Sequence, residues 1–218
     1  MRVLFLLALS AVTLLTVTTL ALRPAPEAAL VPAASYGGGA ASPVYTILDV
    51  TTYPVQGRTA DEVLASLRTY GPKSDGADFF GLTETQMAYR YWKTMGEDGC
   101  RLEQIRVDLH VAITLPTWES EESAPQALAR EWAQFERSLR RHEDGHREIA
   151  EWGAREVYHA LKSLRTPSCE GIDAAAQITA QRLRDRSERR QRSYDHQTGH
   201  GRTQEAVWPL GARHLAHR

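Results

Sequence analysis

The sequence predicts an α+β domain in which a small antiparallel sheet packs on one long helix, with a second, antiparallel helix at the C-terminal end. Three observations predict it. Stretches rich in β-branched residues or alternating in polarity, Val44–Val55 and Arg106–Leu115, occupy the first half of the folded region. An apolar period of three and four residues then runs from Leu128 to Leu164. Pro167 and Gly171 end that period before a further helical stretch from Ile172 to about Arg192.

The N-terminus lies outside this domain. After Arg2, Val3 to Leu22 runs without a charge, like the apolar core of a secretory signal, and Thr19-Leu20-Ala21 supplies the small residues a signal peptidase needs. The same stretch is about 20 residues long, enough to remain as a membrane anchor. Residues 1–22 are therefore read as a signal peptide or signal anchor, and either form exports the remainder to the periplasm or beyond. Residues 23–43 are rich in Ala, Pro and Gly and read as a linker. Contact with the membrane is expected only if the N-terminal segment stays uncleaved. Export also fits the two cysteines, Cys100 and Cys169, which are read as a disulfide because neither has a second thiol or imidazole at metal-ligand spacing.

Each element of the domain, residues 44–206, has its own signal. "VYTILDVTTYPV" from Val44 is a strand ended by Pro54 and Gly57. Thr59 with Glu62 three residues on forms a capping box for a short helix carrying Val63, Leu64 and Leu67, stopped at "YGP". "TQMAYRYWK" is a second extended stretch before the turn "GEDG". From Val107 to Leu115 every second residue is apolar, giving a strand with one buried face and an edge on which an extended peptide could lie. Leu128, Trp132, Phe135, Leu139, His142, His146, Ile149, Gly153, Val157, Ala160 and Leu164 then share one helix face. At 1.5 Å per residue, an antiparallel helix beginning at Ile172 regains the level of His146 near residue 191. That brings "YDHQTGHG", residues 194–201, beside the two histidines. Residues 207–218, with His214 and His217, read as a flexible tail.

The chemistry sits in "HEDGH", residues 142–146. On a helix, residues four apart share a face, so the imidazoles of His142 and His146 can converge on one ion. Glu143 is displaced around the helix, where it can act as general base toward a metal-activated water without being a ligand. Set against a small sheet, this is a zincin-like arrangement. A catalytic zinc requires a third protein ligand, for which Asp195, His196 and His200 compete. Tyr194 can donate to a developing oxyanion or anchor the second helix.

"HEDGH", "YDHQTGHG", "YPVQGRTADEV", "YGP", "FFGLT" and "ITLP", with the cysteines after "GEDG" and before the second helix, together resemble the bacterial family of predicted secreted zinc-dependent proteases, long catalogued as a domain of unknown function. The resemblance covers about residues 44–205. It implies a metallohydrolase-like site with one Zn2+ and places His200 as third metal ligand beside His142 and His146. Asp195 is then the acceptor that orients a liganding imidazole, and His196 is an exposed position of the motif.

The expected function is thus an exported zinc metallopeptidase cleaving amide bonds of a peptide or protein in the cell envelope. The competing reading is a non-catalytic envelope-binding module that keeps a structural metal. In the second helix, "RLRDRSERRQR" carries six arginines, but an exported protein rarely meets nucleic acid, so no nucleic-acid partner is expected.

Overall fold

A computed structural model describes residues 43–74, 76–119 and 124–210. The expected signal or anchor, the linker up to Ser42 and the tail beyond Leu210 lie outside these residues. In chain order the elements are β1 (Val44–Val55), α1 (Ala60–Tyr70), β2 (Lys73–Ser74), β3 (Ala77–Asp78), β4 (Leu82–Gly96), β5 (Gly99–Trp118), α2 (Gln126–Ser163), β6 (Arg165–Thr166) and α3 (Ile172–Thr198). A short 3-10 turn, Arg202–Gln204, follows. The α+β class is as expected.

The sheet differs from expectation in one respect: it is mixed, not antiparallel. β5 is its central strand, with β4 antiparallel on one side and β1 parallel on the other. Alternation fixes which face a residue occupies but not the direction of its partner strand. The chain from β1 to β5 passes through α1, the β2–β3 hairpin and β4, which is ample for the crossover that a parallel pair needs. The same arrangement removes the free edge expected along Arg106–Leu115, because both edges of β5 are already paired.

The core lies between one face of the sheet and α2. Val107, Leu109, Val111, Ile113 and Leu115 of β5 meet Leu128, Trp132, Phe135 and Leu139 of α2, all of them buried. Each such side chain contributes about 1.5–3 kcal/mol by leaving water. α1 starts with half of the expected capping box: Thr59 accepts from the Glu62 amide at 3.3 Å, while the Glu62 carboxylate accepts from the Arg58 amide, one residue before the cap, at 2.7 Å.

α2 is one helix of 38 residues. α3 runs back along it, as successive contacts show: Glu156 with Arg186, Gly153 with Ser187 and His146 with Gln191. Gly153 permits the approach, since a Cβ there would lie 2.7 Å from Ser187 Oγ. The return level near residue 191 is therefore observed, although α3 continues to Thr198, past the expected end at Arg192.

Cys100 and Cys169 are joined, tying the start of β5 to the α2–α3 connection. Such a disulfide is consistent with an exported protein. Among the described residues no helix is long and apolar enough to cross a membrane.

The domain also extends past its expected end. Trp208 is only 3% exposed and packs edge-on to Trp132 and Phe135, while its Nε1 donates to the Ala60 carbonyl at 3.0 Å. Residues 207–210 thus belong to the folded unit and not to a flexible tail.

Candidate metal centre

His142 and His146 stand one turn apart on α2 with ring centroids 4.9 Å apart, and His142 is 4% exposed. The Nδ1 atom of each ring meets a glutamine side-chain oxygen: Gln204 Oε1 at 2.9 Å for His142 and Gln191 Oε1 at 2.6 Å for His146. Each amide is oriented by its other end. Gln191 Nε2 donates to the His146 carbonyl at 2.9 Å, and Gln204 Nε2 donates to the Tyr194 hydroxyl at 3.0 Å. With an acceptor oxygen on Nδ1, both imidazoles carry their proton there and direct Nε2 inward.

What Nε2 meets is Asp195. Its Oδ1 lies 3.3 Å from His142 Nε2 and 3.0 Å from His146 Nε2. The ligand atoms of His142, His146 and Asp195 all lie within 4.8 Å of one another, so this group could hold a metal ion. The donor set fits one. Neutral rings with protonated Nδ1 would oppose lone pairs to a carboxylate, which is stable only with protons or a cation between them. Donor atoms around a tetrahedral ion with bonds near 2.0–2.1 Å are separated by about 3.3 Å, matching the spacings here. Burial alone would raise the Asp195 carboxyl, but hydrogen bonds from His142 and His146 hold it well below the usual carboxylate range. Burial would likewise depress His146, and the Asp195 and Gln191 contacts raise it instead.

The last turn of α3 explains the "YDHQTGHG" pattern. Thr198 Oγ1 donates to the Tyr194 carbonyl at 2.8 Å and accepts from the Gly201 amide at 3.2 Å. The chain then turns through Gly199, His200 and Gly201, all at positive φ. A side chain at Gly201 would press on the His142 ring, with Cβ 3.0 Å from its Cγ, so only glycine suits both the backbone and the space.

The expected site residues separate accordingly. Asp195 joins the two histidines as the third member of the candidate metal group. His200 stands beside it, Nδ1 at 3.6 Å from Asp195 Oδ1, with a side chain 62% exposed. His196 is exposed on α3, as the resemblance implied. Tyr194 stacks on His142 at 5.0 Å, and its hydroxyl donates to the His142 carbonyl at 3.2 Å. That hydroxyl braces α2, the anchoring role that was the alternative to an oxyanion contact.

Glu143 is 3% exposed. Thr83, at the start of β4, donates to Glu143 Oε2 at 2.8 Å, while Oε1 lies against Gly81, where a Cβ would come within 2.7 Å. Burial pushes the carboxyl above its usual range, against the lowering pull of Thr83 and the two imidazoles. A base of this kind is raised toward neutrality yet keeps one oxygen free of hydrogen bonds among the described residues. It lines a cleft of about 690 Å³ with His142, His146 and Asp195, walled by Phe79, Phe80, Leu82, Leu139 and Val207.

Gln191, Gln204 and Thr83 also belong to the candidate site, and the sequence did not single them out. Helix arithmetic pointed to position 191, but glutamine does not advertise itself as a partner of histidine. No spacing rule connects 204 with 142 or 83 with 143.

Fold and site together define an α+β protein with a partly buried two-histidine, one-carboxylate group and an adjacent buried glutamate. The chain belongs to the family described as bacterial protein of unknown function (DUF922), which matches over residues 50–201. No curated protein and no solved structure matches it.

Proposed function

We propose that this protein is an exported zinc-dependent peptidase, with His142, His146 and Asp195 holding the ion and His200 within reach of the same group. The observation that carries the reading is the buried Glu143 carboxylate, pinned by Thr83 through Oε2, beside a metal group whose imidazoles are already oriented by Gln191 and Gln204. A purely structural metal has no need of that base.

When bound, the ion would acidify a water and polarise the scissile carbonyl. Glu143 takes the proton of the attacking water on Oε1 and passes it to the departing amine. Gln191 and Gln204 keep each Nδ1 protonated and so keep each Nε2 available. The apolar walls of the cleft, Phe79, Phe80 and Leu82 among them, suit a hydrophobic side chain of the substrate. Among the described residues β4 is paired only on its β5 side, and its first residues line the cleft, so an extended peptide can add along Leu82–Thr85.

The test is Glu143→Gln. Activity against a mixed peptide library should fall by about 100-fold or more while metal content is unchanged. Undiminished activity in that variant would overturn Glu143 as the base, and absence of hydrolysis by the metal-loaded parent would overturn the peptidase and leave the binding module with a structural metal in its place.

A further inference from the structure

A second hollow, of about 860 Å³, lies on the outer side of α2 and shares a wall with the metal centre. It exists because position 145 is glycine. A Cβ there would strike Tyr194, whose ring instead packs directly on the helix backbone and forms the floor with Gln204. Arg137, Arg140 and Arg141 line it toward the start of α2 and Ile149 and Trp152 further along the helix, with Asp144, Arg147 and Glu148 between them.

The arginines of this helix are treated in two ways. Further along, Arg147 pairs with Glu151 at 2.9 Å and with Asp144 at 3.2 Å, and Arg155 reaches Glu151 at 3.9 Å, as expected of a solvated face. Arg137, Arg140 and Arg141 have no acidic partner among the described residues. They sit three and four positions apart, where like charges repel, and Asp144, the carboxylate next to them in the hollow, is held by Arg147 at 3.2 Å. Trp152 is 39% exposed and held flat by the Arg190 guanidinium, 3.1 Å above its ring. Three guanidiniums without acidic partners among the described residues and an aromatic ring lining one hollow match an anionic group on an apolar body.

We propose that this hollow binds a phosphate or carboxylate group carried on such a body, the anion against Arg137, Arg140 and Arg141 and the body on Ile149 and Trp152. It is distinct from the cleft of Glu143 and stands whether or not the metal centre is catalytic. Its occupant would touch Gln204, whose side-chain oxygen orients His142, so the two sites share one amide.

The experiment is calorimetric titration of the purified protein with two probes, inorganic phosphate and the soluble short-chain lipid dihexanoyl phosphatidic acid. Both should bind saturably at one site, the lipid more tightly. The double variant Arg137→Gln/Arg141→Gln should weaken both by about 10-fold or more, the loss expected for charge-assisted contacts. Trp152→Ala should weaken the lipid alone. Absence of saturable binding to the parent, or binding that survives the arginine variant, overturns the site. Equal loss of both probes in Trp152→Ala overturns the apolar half of it.

Discussion

Gln191 holds His146 at both ends: its side-chain oxygen accepts from the ring Nδ1 at 2.6 Å and its amide nitrogen donates to the His146 carbonyl at 2.9 Å. One side chain from α3 thereby fixes the tautomer, the ring plane and the level of α3 against α2. Gln191→Leu removes both contacts with little change of volume. Metal affinity should fall about 10–100-fold, the usual cost of losing such an orienting partner. Competition with a chromogenic chelator measures it, and an affinity equal to that of the parent would show that Gln191 only packs the helices.

Metal uptake should release protons, and more of them in acid. In the metal-free protein His146 titrates above its ordinary value, burial lowering it but Asp195 and Gln191 raising it further. Below that raised value a proton occupies the position an ion would take, so affinity falls as pH falls. Calorimetry in buffers of different ionisation enthalpy should find more protons released per ion at about pH 6 than at about pH 8. Equal release at both would mean that His146 does not change its protonation between them.

The same shifts set the stability of the metal-free protein. A raised His146 contributes stability that is complete below the unfolded imidazole value and is lost as pH rises through the folded value. A lowered Asp195 contributes stability present above the unfolded carboxylate value and lost as pH falls through the folded one. For these two groups the optimum lies between about pH 4 and 6.5. Denaturant midpoints across pH should show that maximum in the parent, and Asp195→Asn should flatten it.

Trp208→Ala should cost about 3–5 kcal/mol, the range for emptying a buried aromatic site. The indole fills the space between Trp132 and Phe135 and bonds to α1 through the Ala60 carbonyl. A chain ending at Ala206 should be destabilised as much. Urea unfolding distinguishes this from a dispensable tail, for which the midpoint would not move.

What could be read from the sequence, and what could not, follows from the range of each signal. Periodicity is local, and it located the long helix, its buried face and the central strand, because an amphipathic face repeats its own evidence. Strand direction is not local, and β1 carries nothing in Val44–Val55 that distinguishes a parallel from an antiparallel partner. Trp208 has no periodic neighbours, so its burial depends wholly on the aromatic cluster it joins. At the metal centre, His142 and His146 were legible through helical spacing. Asp195 was legible as a candidate through the return of α3, but its approach to both Nε2 atoms depends on rings oriented by Gln191, one turn earlier on the same helix, and by Gln204 from the following 3-10 turn.

Thr83 offers the sharpest test of how Glu143 is used. Its hydroxyl donates to Glu143 Oε2 at 2.8 Å, stabilising the charged form of a carboxyl that burial pushes the other way. Thr83→Val keeps the shape and deletes the donor, so the Glu143 pKa rises further and the base is protonated over a wider range. Because the base must be ionised to accept a proton, the acid limb of the activity profile should move to higher pH. At a fixed pH on that limb the rate should fall about 10- to 100-fold, the loss of ionised base that follows from removing one hydrogen bond to a charged group. Metal content should be unchanged, since no metal-group residue is touched, and Thr83→Ser should restore both the rate and the limb. A limb that stays in place while the rate falls would assign Thr83 to packing of β4 on α2 and remove it from the chemistry.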